Sequence, residues 1–240
     1  MNPIRSLLGS HGFQVWMRKR TGFLPLTRVL AGYNLRPYFS TDLRLFRLLY
    51  CLEITRNLRE PVAELGIGSG YGMVYGLTAL RDRKDPRSYH GFDTFEGFPY
   101  IHQQDLENLP EERKKVSVVG RYAEFGIDHI RRLVAATGMT NRVTLHKGTF
   151  EDTLPKLDAA QRFSFVFIDC DLYQSYLTAL EHIYPRMVDG GVILFDEYEH
   201  TVDWPGAQKA IREFFADKPE KPEPLPFGTS WIAIKGKGAA

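Results

Sequence analysis

The sequence predicts an α/β fold: one mostly parallel sheet with helices on both faces and a final antiparallel strand. Three observations predict it. Short apolar runs at 62–66, 88–92, 142–146, 163–168, 192–195 and 230–235 alternate with stretches whose apolar residues return at helical spacing, the signature of strand–helix crossover units. Phe163 to Ile168 is almost continuously apolar, as a central parallel strand buried on both faces must be. The run Pro61-Val62-Ala63-Glu64-Leu65 opens directly into Gly66-Ile67-Gly68-Ser69-Gly70-Tyr71-Gly72 and then into a helix, and in such sheets ligands lie beyond the carboxyl ends of the strands.

Taken in order, residues 1–58 read as an N-terminal helical cap and residues 59–240 as the main domain. Residues 1–40 form short helices and loops covering the site, and Ser40 or Thr41 caps a helix running to about Tyr50. After the first strand and the glycine turn, a helix ends near Leu80 to Arg83, where Asp85-Pro86 turns the chain. The second strand, Ser88 to Phe92, finishes in Asp93. A long polar segment, 94–121, is read as a lid, because loops of that length in a compact domain are usually functional. A helix from about Tyr122 to Ala136 leads to the third strand at Arg142 to His146, and Gly148 to Ala159 makes a short helical segment. The fourth strand ends in Asp169-Cys170-Asp171. A helix follows from Leu172, and Gly190-Gly191 marks the turn beyond it. The fifth strand, Val192 to Phe195, ends in Asp196-Glu197. Trp204-Pro205-Gly206 opens a helix to Phe215 with proline at a tolerated early position, and Ser230 to Lys235 is the last strand.

At 240 residues and 43% hydrophobic, the chain can build one sizeable core. Thirty-one basic against twenty-nine acidic residues leave a net charge of +2, which offers no electrostatic footprint for nucleic acid. Cys51 and Cys170 lie far apart without metal-ligand spacing, as suits free thiols in a reducing cytosol. The N-terminal apolar run at 4–8 is too short for a signal peptide, and no stretch approaches the ~20 apolar residues of a membrane helix. The expectation is a soluble cytoplasmic protein with no membrane insertion. A homo-oligomer is left open, and Phe13, Val15, Trp16 and Phe23 to Leu26 are read as packing of the cap rather than as a partner surface.

The glycine spacing selects the ligand. A dinucleotide fingerprint needs a third glycine three residues after the second. In the three registers available that place is held by Tyr71, Met73 or Tyr75, so a nucleotide-dependent oxidoreductase is disfavoured. Glu64-Leu65-Gly66-Ile67-Gly68-Ser69-Gly70 instead resembles motif I of the class I S-adenosylmethionine (SAM)-dependent methyltransferases. That resemblance implies Glu64, Gly66, Gly68 and Gly70 as cofactor-binding residues. Asp93, an acid at the end of the second strand, stands where such sheets usually hydrogen-bond a ribose hydroxyl pair.

Two strands ending in Asp169-Cys170-Asp171 and Asp196-Glu197, if adjacent, crowd at least three carboxylates at one edge of the cleft. Such groups repel and raise one another's pKa. A hard cation relieves the conflict, and all-oxygen ligation suits Mg²⁺, or else Mn²⁺ or Ca²⁺, rather than zinc.

Four stretches together make the resemblance specific: Gly91-Phe92-Asp93-Thr94-Phe95-Glu96-Gly97-Phe98-Pro99, Lys147 to Pro155, Phe167 to Tyr173, and Trp204 to Phe215. They are similar to the macrocin O-methyltransferase (TylF/MycF) family. The resemblance covers roughly residues 60–235 and implies a Rossmann-like class I methyltransferase sheet and a SAM- and Mg²⁺-dependent enzyme that methylates sugar hydroxyls on natural products. It further implies Phe150 in the cofactor site, Asp169, Asp196 and Glu197 as metal ligands, and Asp171 as the general base. One departure matters: the family usually has Asp-Asp where this chain has Asp196-Glu197. The expected partner is a small-molecule hydroxyl acceptor, a glycoside. Alternatives are a metal-dependent methyltransferase of a catechol-like diol and a non-catalytic SAM-binding protein. His200 is a competing base, and Tyr173 and Tyr198 are candidate sugar contacts.

Overall fold

The computed structural model describes residues 39–107, 111, 119–198, 204–225 and 230–237, with side chains from residue 46 onward. Residues 1–38 of the expected cap, parts of the 94–121 segment and His200 lie outside the described residues.

A seven-stranded sheet forms the centre, in the order β3-β2-β1-β4-β5-β7-β6. Its strands are β1 (Val62–Leu65), β2 (Tyr89–Asp93), β3 (Val143–Lys147), β4 (Phe163–Ile168), β5 (Met187–Phe195), β6 (Glu223–Pro224) and β7 (Trp231–Ile234). The first five run parallel, and β7 is antiparallel to both β5 and β6. The fold class read from the sequence is therefore the fold observed, although the two-residue β6 carries no sequence signal.

The helices are α1 (Phe39–Ile54), α2 (Tyr71–Asp82), α3 (Gln103–Leu106), α4 (Ile127–Thr137), α5 (Phe150–Thr153), α6 (Tyr173–Ile183) and α7 (Pro205–Phe214). They divide between the two faces. One core gathers Leu48, Leu49 and Leu52 of α1, Met73, Leu77 and Leu80 of α2, and Ile130 and Leu133 of α4 against Val62, Phe165 and Val192. The other gathers Tyr176, Leu180 and Ile183 of α6 and Ala207, Ala210 and Ile211 of α7 against Leu65, Val166, Ile168 and Ile193. From Phe165 to Ile168 successive residues of β4 enter opposite cores, and all six residues of the strand are buried, which explains a run that is apolar but for Ser164.

Two expectations are corrected. Gly190 and Gly191 do not turn the chain; they lie inside β5, which starts at Met187. Phe163 pairs with Met187 but Phe165 with Val192, so β5 bulges there, and Gly190, at φ 77°, takes the conformation the bulge needs. The turn itself is the single 3₁₀ turn Tyr184–Arg186. The helix expected from about Tyr122, α4, begins at Ile127, because residues 121–125 form tight turns, with Tyr122 at φ 72°.

The order β2-β1-β4 makes the gap between β1 and β4 the point where the chain reverses its direction of growth, the place where sheets of this type open a ligand crevice. Among the described residues, no helix is long and apolar enough to cross a membrane.

Candidate active site

The register fixes which loops share the crevice. Leu65 pairs with Phe92 on one side and Ile168 on the other, and Ile168 pairs with Phe195. The hydrogen bonds continue one residue further: Gly66 N–H to the Phe92 carbonyl (2.9 Å), Asp169 N–H to Leu65 (2.9 Å) and Asp196 N–H to Ile168 (3.1 Å). The glycine loop, Asp93, the Asp169-Cys170-Asp171 turn and Asp196-Glu197 therefore line one rim.

Asp93 organises the cofactor side. Its Oδ2 accepts the backbone N–H groups of Ile67 (2.8 Å) and Gly68 (3.2 Å), and its Oδ1 accepts that of Phe95 (2.6 Å). One carboxylate thus shapes the glycine loop and closes the turn after β2. Gly148 N–H donates to the Asp93 carbonyl (3.1 Å), which brings the start of α5 and the buried Phe150 to the same rim.

Glu64 sits lower than a residue facing solvent would. It is 2% exposed, accepts the Tyr89 hydroxyl at 2.6 Å, and lies under Gly72, where a β-carbon would come within 2.6 Å of Oε1. Burial pushes its carboxyl up to about 8, outweighing the Tyr89 hydrogen bond that favours the anion, and the Asp93 charge adds to the rise.

On the other side, Asp169, Asp171 and Glu197 each bring a carboxylate oxygen to a common point, all within 4.8 Å of one another. Asp196 stands beside Glu197, close enough for the two carboxyls to hydrogen-bond. Of the four acids read from the sequence, the common point thus unites Asp171 with Asp169 and Glu197, and Asp196 flanks it. Glu197 is 2% exposed. Its carboxyl is held well above the usual range, first by burial and then by repulsion from Asp169, Asp196 and Asp171. The Tyr176 hydroxyl shares its one proton between the Ile168 carbonyl (2.9 Å) and Oε2 of Glu197 (2.5 Å). An all-oxygen set under mutual repulsion fits a hard divalent cation. Cys170 faces the second core and burial raises its thiol, so it is inert beside them.

Three contributors escaped the sequence reading. Tyr89 reaches Glu64 because Glu64 pairs with Gly91, and Tyr89 lies two residues away on the same face; the register alone reveals that. Tyr176 reaches Glu197 across 21 residues of sequence. Asp105, 1% exposed, joins α3 to the start of α6. Of the expected sugar contacts, the Tyr173 hydroxyl donates to Glu213 (2.6 Å), and Tyr198 is buried against Trp231.

A methyltransferase-domain family model matches residues 63–198, more than half of the chain. The chain is similar to 8-demethyl-8-(2,3-dimethoxy-alpha-L-rhamnosyl)-tetracenomycin-C 4'-O-methyltransferase of Streptomyces olivaceus, at 29% identity over 65% of this chain and 60% of that protein. It is also similar to mycinamicin III 3''-O-methyltransferase of Micromonospora griseorubida, at 28% identity over 71% of this chain and 67% of that protein. The chain thus spans about 60% to 67% of the length of these two relatives. Among solved structures, the calicheamicin methyltransferase CalS11 superposes with a TM-score of 0.68 over 99% of this chain and 95% of that one, at 21% identity, a likeness of fold. With the glycine loop at the chain-reversal point and the family match spanning β1 to the end of β5, this chain belongs to the methyltransferase-domain family.

Proposed function

We propose that this chain transfers the methyl group of SAM to a hydroxyl of a sugar on a natural product or glycoconjugate, with Mg²⁺ as a second cofactor. The observation that carries the reading is the shared rim: the Asp93-organised glycine loop and the Asp169, Asp171 and Glu197 oxygens face one crevice. The names of the relatives, a 4'-O-methyltransferase of a rhamnosyl-tetracenomycin and a 3''-O-methyltransferase of mycinamicin III, support the acceptor class.

In the proposed reaction the acceptor oxygen attacks the methyl carbon in line, the carbon–sulfur bond breaks, S-adenosylhomocysteine leaves, and the hydroxyl proton passes to a carboxylate. The glycine loop and Asp93 hold the nucleoside and methionine parts of SAM, with Glu64 supporting the loop from beneath and Phe150 beside it. Asp169 and Glu197, with Asp196 flanking, would hold the cation, which would supply Lewis-acid polarisation of the acceptor hydroxyls. Asp171 takes the proton as general base. Much of the acceleration comes from alignment of oxygen and carbon on a rigid rim.

Isothermal titration of SAM and S-adenosylhomocysteine, with and without Mg²⁺, beside the Asp169→Ala variant tests the cofactor half. An acceptor screen of glycosides and catechol-like diols, read by mass spectrometry for methylated product, tests the substrate half. Cofactor binding with Mg²⁺-dependent methylation of a glycoside is expected. Absence of cofactor binding overturns the reading, and turnover of diols alone moves it to the catechol class.

A further inference from the structure

We propose that Asp105 is a positioning residue that ties the segment after β2 to the turn presenting Asp171, so that seating of α3 assembles the proton-accepting side of the site. The inference rests on the O-methyltransferase reading for what Asp171 does, but its structural content is independent of that reading.

The turn after β4 is unusual. Leu172 N–H donates to the Cys170 carbonyl at 2.6 Å, closing a three-residue turn around Asp171, whose φ is 61°. Only glycine, and to a lesser degree Asn and Asp, adopts that region readily, and such a residue persists only where its surroundings hold it. The following helix, α6, begins two residues later and does not cap itself: Leu172 occupies the N-cap position and has no side-chain acceptor.

The missing acceptor comes from 68 residues earlier. Asp105 Oδ1 accepts the Tyr173 N–H at 2.6 Å, while Oδ2 accepts the His102 N–H at 2.8 Å. A single buried carboxylate therefore caps α3 within its own segment and α6 from outside it, where its charge also meets the positive end of the longer helix. The site is shaped to admit it. A β-carbon on Gly206, the second residue of α7, would come 2.1 Å from Asp105 Oδ1 and 2.9 Å from the Tyr173 β-carbon, so glycine there opens the slot in which the carboxylate sits.

The contacts around the slot bind the same partners. The His102 ring stacks on Tyr173 at 5.0 Å. Lys209 of α7 hydrogen-bonds Gln104 and reaches Glu107 at 3.3 Å. Releasing α3 would remove the cap from α6 and leave the left-handed Asp171 turn with one fewer constraint. The reacting carboxylate would then lose its fixed direction while the glycine loop, held by Asp93 on the far side of β1, would not change.

Hydrogen exchange read by mass spectrometry, combined with steady-state kinetics, tests this. In Asp105→Ala, amides of 102–107 and of the first turn of α6 should exchange at least about tenfold faster together, with β1, β4 and β5 unchanged. The kcat should fall on the order of tenfold to a hundredfold while the KM for SAM stays the same. Asp105→Asn, which keeps an acceptor for the Tyr173 N–H, should recover most of both. Gly206→Ala, which fills the slot and pushes out the Asp105 carboxylate while leaving residue 105 an aspartate, should reproduce the Asp105→Ala pattern and serves alone if that variant does not fold. Unchanged exchange at Tyr173 in both Asp105→Ala and Gly206→Ala would overturn the proposal, as would uniform loosening of the sheet. If the wild-type protein methylates no acceptor, the O-methyltransferase reading falls, and the exchange data still decide whether Asp105 holds the turn.

Discussion

Gly66 lies so close to Asp169 that a β-carbon on it would come 1.8 Å from the Asp169 carbonyl oxygen. The first glycine of the cofactor loop and the first acid of the carboxylate cluster are therefore in close backbone contact across the β1–β4 gap. Gly66 is also at φ 88°, so a side chain there is strained before the clash is counted. Gly66→Ala should destabilise the fold by about 3 kcal/mol or more and abolish SAM binding. Thermal melts and titration calorimetry check both.

Stability should fall as the solution is made more alkaline, because Glu64 is protonated in the fold over a range where the unfolded chain has lost that proton. Its carboxyl rises from 4.5 to about 8 on folding. The folded state then binds more protons than the unfolded one, so the contribution is complete below the unfolded value and disappears as pH passes the folded one, at about 1.4 kcal/mol per pH unit in between. Glu64→Gln keeps an acceptor for Tyr89 and cannot titrate. A flatter dependence of melting temperature on pH between 5 and 8 in that variant is the expected result.

Glu197 should show the same sign, with a twist supplied by metal. Burial and three neighbouring carboxylates raise it, so in metal-free protein it too destabilises the fold as pH rises. Mg²⁺ or Mn²⁺ should therefore raise the melting temperature more at pH 8 than at pH 5.5. Glu197→Gln should melt higher than wild type without metal, lose that metal response, and retain little methyl transfer. Calorimetric scans at the two pH values, with and without metal, measure this.

Asp169 and Asp171 share the cluster but should differ on substitution. Asp169→Asn should lose both cation affinity and turnover. Asp171→Asn should weaken the cation less than Asp169→Asn does while kcat falls on the order of a hundredfold or more, the usual scale for a lost general base. Mn²⁺ titration followed by electron paramagnetic resonance separates binding from turnover.

Arg87 offers a contrast at the opposite rim. Its side chain is fully buried, paired with Asp85 at 2.7 Å, and donates to the Thr55 and Leu52 carbonyls and the Ser164 hydroxyl, joining α1, β2 and β4. Arg87→Ala removes the guanidinium from Asp85, which keeps only the backbone N–H of residue 87, and from the buried acceptors around it, and should cost about 3–5 kcal/mol. The KM for SAM should be unchanged in the folded fraction, as denaturant melts and kinetics at low temperature would show.

Much of this molecule was legible in the chain because the signals were local. The alternation of apolar runs with helical spacing, the nearly continuous apolarity of β4 and the glycines after β1 each depend on neighbours within a few residues, and they were enough for the fold class and for which strand ends carry Asp93, Asp169, Asp171, Asp196 and Glu197. The reading failed where one local sign had two physical meanings. Gly190-Gly191 looked like a turn because a positive φ serves a turn and a bulge equally well, and only pairing with β4 and β7 chose the bulge.

Tertiary structure alone decided how the rim residues combine. Glu64 is governed by Tyr89 through strand register, Glu197 by Tyr176 through the packing of α6 on β4 and β5, and the start of α6 by Asp105 from 68 residues away. A carboxylate's partners and its pKa follow from burial and from distances across the crevice, and a linear sequence records neither. The order of chemical groups along the chain was enough to name the family, and the sheet's register and helix packing were needed to say which of those groups meet.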